Sequence, residues 1–211
     1  MSVLSLARFQ ESVTILGGGN AQDLHSRLLT AWAEPARRYH TQQHLEEGLT
    51  LADIWGEQLS RHEKAELDLG FWLHDAILDP RGTENERKSA DMARAELAKL
   101  GIHEQTPERI AALVMATAHG TPVPAGDYVV DLLLDIDLAI IGAPAARFAQ
   151  YEAQVRDEYS FVDDAAYQVG RGKVMGHFRA MAFNEPSTLY RTVYGSTLLP
   201  QARVNLAKYH H

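Results

Sequence analysis

His74 and Asp75 stand next to each other inside an otherwise apolar run, Phe71-Trp72-Leu73-His74-Asp75-Ala76-Ile77-Leu78. Burying an unpaired carboxylate costs of order 20 kcal/mol in the idealised Born limit, so a core helix carries this pair only with a compensating charge. A divalent cation supplies one. Two more groups could complete such a site: His40 and His44 in Tyr39-His40-Thr41-Gln42-Gln43-His44, and Asp135 and Asp137 in Leu134-Asp135-Ile136-Asp137-Leu138. Imidazoles and carboxylates together make a mixed N/O donor set that suits Mn, Fe, Co, Ni, Zn or Mg. A cation so held can activate water and polarise an electrophile such as phosphorus.

Helices must bring these groups together. Apolar residues recur at the α-helical period, and strand-like alternation is nearly absent. The pattern predicts helices from about Ala21 to before Pro35, Tyr39 to Leu59 and Glu63 to Leu78, with Asp79-Pro80-Arg81-Gly82 as breaker. Thr83 to Glu86 reads as a capping box opening a helix that ends at Gly101, and Thr106-Pro107 opens another. Gly120 to Gly126 is a loop. Further helices are expected from Tyr128 to Ile141, Pro144 to Tyr159 and Asp164 to Phe183, and one more after Ser196. The expectation is a single all-α domain over 1–211, with the motifs in 39–142 and helices of 144–209 packing on them. On this reading His40 and His44, four apart, share a helix face. Leu67, Phe71, His74 and Leu78 form one stripe, which buries His74. Val130, Leu133, Leu134 and Asp137 fall on one side of their helix, with Asp135 turned away; a shifted register would make Asp135 the ligand instead.

Composition narrows the function. The chain has 211 residues, 45% hydrophobic and 23% charged, with net charge −8 and no basic tract. A nucleic-acid polymer is therefore not an expected partner. The absence of cysteine rules out thiolate catalysis and disulfides. No signal-peptide pattern or membrane-spanning run is present, and the chain reads as cytoplasmic.

The ordered set of His, adjacent His-Asp and later Asp resembles the HD superfamily of metal-dependent phosphohydrolases over about Tyr39 to Gly142. More narrowly, Arg38-Tyr39-His40-x-x-x-His44-Leu45, Trp72-x-His74-Asp75, Glu84-Asn85-Glu86-x-x-Ser89-Ala90 and Ile136-Asp137-Leu138-Ala139-Ile140-Ile141-Gly142 resemble a small bacterial group of such proteins. In that group the stretch with Tyr151, Arg156, Glu158-Tyr159, Gly170-Arg171 and Tyr190 is also familiar. Tyr39-His40-x-x-x-His44 is similar to the Tyr-His-Asn-x-x-His signature of cyclic-nucleotide phosphodiesterases, and Ile136-Asp137-Leu138 to their Ala-Asp-Leu. The resemblance implies an HD-type helical bundle that hydrolyses a phosphate mono- or diester, with a small phosphorylated, nucleotide-like substrate. It implies His44, His74, Asp75 and Asp137 as metal ligands and His40 as the general acid on the leaving oxygen. Thr41 replaces the signature's asparagine, and Leu78 occupies the place of a further histidine, which favours one tightly bound metal.

Other residues have both a chemical and a plain reading. Glu86, with Glu84, either orients ligands and attacking water or simply favours the helix dipole of a first turn. Arg37, Arg38, Lys88, Arg171 and Lys173 are candidate cations for phosphate oxygens; singly, Arg171 and Lys173 also read as solvated charges. His119 either lines the pocket mouth or ends its helix. His40 is acid or ligand. Trp32, Trp55 and Trp72 read as core. Two competing functions share the residues: an HD-fold di-iron oxygenase, which the Leu78 departure opposes, and a non-catalytic nucleotide- or metal-binding regulator.

Overall fold

The computed structural model describes residues 2–103, 105–118, 123 and 126–209. Among them there is no strand, and the chain is all-α, as the periodicity predicts. Among the described residues no helix is long and apolar enough to cross a membrane. The chain forms two compact units, Met1–Leu133 and Leu134–His211.

The first unit holds α1 (Leu6–Ile15), α2 (Gln22–Ala31), α3 (Gln42–Trp55), α4 (Arg61–Leu73), α5 (Asn85–Lys99), α6 (Thr106–Ala116) and the start of α7 (Tyr128–Asp137). Helix α4 is its axis and packs against α1, α3, α5 and α6. Every residue from Ala65 to Leu73 is buried, so this helix is enclosed all round. Phe9, Leu28, Trp32, Leu45, Leu49, Leu67, Phe71 and Trp72 are fully buried around it.

Enclosure forces a partner onto each α4 carboxylate. Asp68 accepts from the Arg8 guanidinium (3.0 and 2.8 Å) and from the Ser12 hydroxyl. Glu66 accepts from Arg109 at 3.1 Å, and Arg109 also pairs with Asp127.

Helix boundaries differ from the periodic expectation in ways that bear on function. The capping box belongs to Ser60 and Glu63 at the start of α4. Thr83 does not cap α5, which begins at Asn85 after Glu84; the Asn85 side chain instead bridges back to Asp79 N–H and C=O. Helix α1 falls outside the predicted set. Ser5 caps it, and it buries Phe9 and Val13. Helix α4 stops at Leu73, five residues before Leu78, and α3 starts at Gln42, after His40.

The second unit contains the end of α7, a 3-10 turn (Leu138–Gly142), α8 (Ala145–Glu158), α9 (Asp164–Asn184), two single turns α10 (Pro186–Leu189) and α11 (Val193–Ser196), and α12 (Leu199–Leu206). The 3-10 turn packs on α8 and α12, and α9 packs on α10 and α12. Asn205 donates to the carbonyls of Ile141 and Ala143, which joins α12 to the turn.

Candidate metal centre

The last carbonyls of a helix have no intrahelical partner, and at the end of α4 three other groups take them. The Phe71 carbonyl accepts from His74 Nδ1–H at 2.8 Å, the Trp72 carbonyl from the Trp32 indole at 3.1 Å, and the Leu73 carbonyl from Ala76 N–H. Just beyond, Arg37 donates to the carbonyls of Asp75 (2.7 Å) and Ala76 (3.1 Å), and Ser89 Oγ accepts from Ile77 N–H. Because these partners come from the end of α2, the turn after it and α5, the chain leaves the helix at His74. His74 and Asp75 therefore sit at the negative end of the α4 dipole, where positive charge is favoured.

A similar set of ties moves His40. Gln42 N–H donates to Trp32 C=O and its side chain to Leu29 C=O, which fastens this segment to the end of α2. Thr41 then takes extended backbone angles and caps α3 through its hydroxyl. His40 consequently lies in the turn before the helix and does not share a helical face with His44. The two rings are still neighbours, 6.0 Å apart and nearly perpendicular.

His44, His74 and Asp75 each present one ligand atom, all within 4.8 Å of one another. His44 Nε2 is 3.3 Å from His74 Nε2, and Asp75 Oδ2 is 3.2 Å from His74 Nε2. A cation bound at about 2.0–2.1 Å by such donors sets neighbouring ligand atoms about 3.0 Å apart in octahedral and about 3.4 Å in tetrahedral geometry. The two edges that meet at His74 Nε2 fall in that interval. The His74 tautomer also fits: with Nδ1–H given to the Phe71 carbonyl, the neutral ring turns its Nε2 lone pair inward, as metal-bound histidines do.

Both imidazoles are buried, His44 4% and His74 1% exposed. Asp75 is 14% and His40 26% exposed at the side chain, and His40 Nε2 stands 3.8 Å from Asp75 Oδ2. The trio thus has a dry side and an open side, and His40 is on the open one. Trp32, Tyr39 and Phe71 wall the dry side, with ring centroids 4.6–6.1 Å from the two imidazoles they face.

Gly48 sets how closely the two histidine-bearing helices approach. It lies one turn after His44, and a Cβ there would run into the Phe71 ring, which lies one turn before His74. Sequence reasoning passed over Gly48, Trp32 and Ser89 as site-forming residues. A glycine four residues after a ligand histidine was the one local signal.

The other expected site residues are not among the His44, His74 and Asp75 group. Glu86 is half-buried on the first turn of α5. Arg38 and Lys88 are exposed. Arg37 is 3% exposed and committed to carbonyls, so it does not meet a substrate's phosphate oxygens as expected. Asp137 ends α7 in the second unit and is half-buried, its charge acting on Tyr151. Asp135, expected to be turned away or to be the alternative ligand, is fully buried and accepts from Arg191 N–H, Thr192 N–H and the Thr192 hydroxyl at 2.6–2.7 Å. Its carboxylate shapes the segment leading into α11, and Gly195 leaves room for it.

Arg171 pairs with Glu152 at 2.5 Å and lies over the Tyr151 ring. Its charge is balanced within the second unit, and these neighbours hold its pKa above the ordinary arginine value against the opposing effect of burial. Lys173 is exposed, and the space beside Gly170 and Gly172 is open among the described residues. His119 lies outside the described residues.

No protein-family model matches the chain, and no curated protein or solved structure is significantly similar to it.

Proposed function

We propose that this chain is a metal-dependent phosphohydrolase whose cation is held by His44, His74 and Asp75. One observation carries the reading: three donors from two segments converge within 4.8 Å of one another, two of the edges at co-ligand spacing, with the His40 imidazole beside them. A cation of the Mn, Fe, Co, Ni, Zn or Mg group in that position supplies Lewis-acid activation of water and of a phosphoryl group. Glu86 is the candidate to orient attacking water. The substrate class is a phosphate mono- or diester, nucleotide-like by the resemblance of the Tyr39–His44 segment to phosphodiesterases. Arg38 is a candidate to meet its charge.

Element-resolved analysis of the purified protein, followed by a panel of phosphomonoesters and phosphodiesters with added Mn(II) or Co(II), tests this. Expected are one bound transition metal per chain and metal-dependent phosphate release, with His40→Ala keeping the metal and losing turnover. Metal-loaded protein that hydrolyses nothing in the panel would overturn the phosphohydrolase reading.

Two imidazoles and one carboxylate are also the donor set of mononuclear ferrous oxygenases. Substrate-dependent oxygen uptake by iron-loaded protein, without phosphate release, would favour that reading.

A further inference from the structure

We propose that Arg37 is a positioning residue of the metal centre: its guanidinium fixes the Asp75 segment and the His40 turn to each other. Nη1 donates to Asp75 C=O at 2.7 Å and to His40 C=O at 3.3 Å, and Nη2 donates to Ala76 C=O at 3.1 Å. The group lies over the Trp32 ring, 5.3 Å from its centroid. Trp32 in turn closes the end of α4 through Trp72 C=O. One side chain therefore holds the backbone of a candidate ligand and of the candidate acid, and is itself held against an aromatic face.

The chemistry explains why this is an arginine. A planar fork can serve several acceptors at fixed angles, and it keeps its charge when buried. A lysine ammonium offers a point charge without that fork. The carbonyls served are those just beyond the negative end of α4, so the positive charge also stabilises a helix terminus. Asp75 reaches the cluster from a segment that has already left the helix, and the guanidinium holds its carbonyl. Groups that orient metal ligands from behind change metal affinity by about 10- to 100-fold when removed.

This inference rests on the metal centre proposed above and is independent of the reaction. Co(II) affinity and the visible absorption of the Co(II) form are measured for wild type, Arg37→Lys and Arg37→Ala, with Arg8→Lys as comparator. Arg8 is likewise an arginine clamped inside the first unit, on Asp68, Asp53 and Leu49 C=O. Expected is a roughly 10- to 100-fold weaker Co(II) affinity with an altered spectrum for both Arg37 variants. Methylguanidinium, and not methylammonium, should restore the Arg37→Ala protein. Arg8→Lys should lose thermal stability and keep Co(II) affinity. Affinity and spectrum unchanged in the Arg37 variants would overturn the proposal and leave the metal centre standing.

If the variants do not fold, the wild-type protein decides. Its Arg37 guanidinium NMR signals should shift with Zn(II) at the same Kd as loading, and signals indifferent to Zn(II) would overturn the proposal. Wild-type protein that takes up no Co(II) or Zn(II) would remove the metal centre and this proposal together.

Discussion

The Nε2 atoms of His44 and His74 lie 3.3 Å apart, although 30 positions of chain separate the two residues. That spacing serves an N–H···N hydrogen bond between neutral rings and also suits two ligands of one ion. Either His44→Ala or His74→Ala is expected to weaken Zn(II) or Co(II) binding by at least about 100-fold, as read by equilibrium dialysis. Wild type should gain about 2.7 kcal/mol of stability at a metal concentration 100 times Kd, and the variants should show no metal-dependent rise in Tm. A variant that still binds stoichiometrically would remove that histidine from the ligand set.

Gly48→Ala tests the approach of α3 to α4. The new methyl group meets the Phe71 ring, and overpacking of this kind costs roughly 1–3 kcal/mol. His44 moves with α3, so metal affinity should fall along with Tm. Combining Gly48→Ala with Phe71→Leu opens space and should recover part of both. Effects that simply add would show that the two positions do not share a contact.

What the sequence revealed about this site, and what it hid, divides by distance along the chain. Apolar spacing placed His74 on the buried stripe of its helix, and it is 1% exposed. The same spacing carried α4 on to Leu78, because the hydrogen-bond partners that end it belong to Trp32, Arg37 and Ser89. Periodicity reports which face is apolar and is silent about who meets the last carbonyls. His40 shows the converse. An i, i+4 pair looks the same whether its first member lies on the helix or in the turn before it, and only the tie between Gln42 and Trp32 decides. Arg37 read as a phosphate-binding cation because burial of its side chain depends on contacts that a one-dimensional pattern does not contain. The all-α character was legible throughout, since it follows from local spacing.

Asp135→Ala should separate architecture from chemistry. The carboxylate satisfies two backbone N–H groups and a hydroxyl in a fully buried position, and each buried donor left unpaired costs about 1–3 kcal/mol. A loss of roughly 3 kcal/mol or more in urea unfolding is expected, with the metal content of the folded fraction unchanged. Loss of metal from protein that is still folded would return Asp135 to the ligand set.

The Arg109–Asp127 pair predicts an acid limb. The hydrogen bond from Arg109 holds the Asp127 carboxyl below its ordinary pKa; burial opposes this more weakly, and Val130 N–H assists. Because the folded value is depressed, the unfolded chain binds the proton more readily. The stabilisation is complete above the unfolded carboxylate pKa of about 3.9 and is lost as pH falls through the lower folded value. For a pair about a quarter exposed the effect is about 1 kcal/mol. Urea midpoints followed from neutral to about pH 2 should fall less steeply in Asp127→Asn than in wild type; identical slopes would show that the pair does not contribute.

The termination of α4 by Trp32, Arg37 and Ser89 has a kinetic corollary. The Asp75 segment acquires its shape only after α2, the turn beyond it and α5 have docked on α4, and contacts so distant in sequence are slow to close. An ion captured at His44, His74 and Asp75 would then arrive among the last events of the first unit's assembly: it would lock a finished scaffold and not seed it.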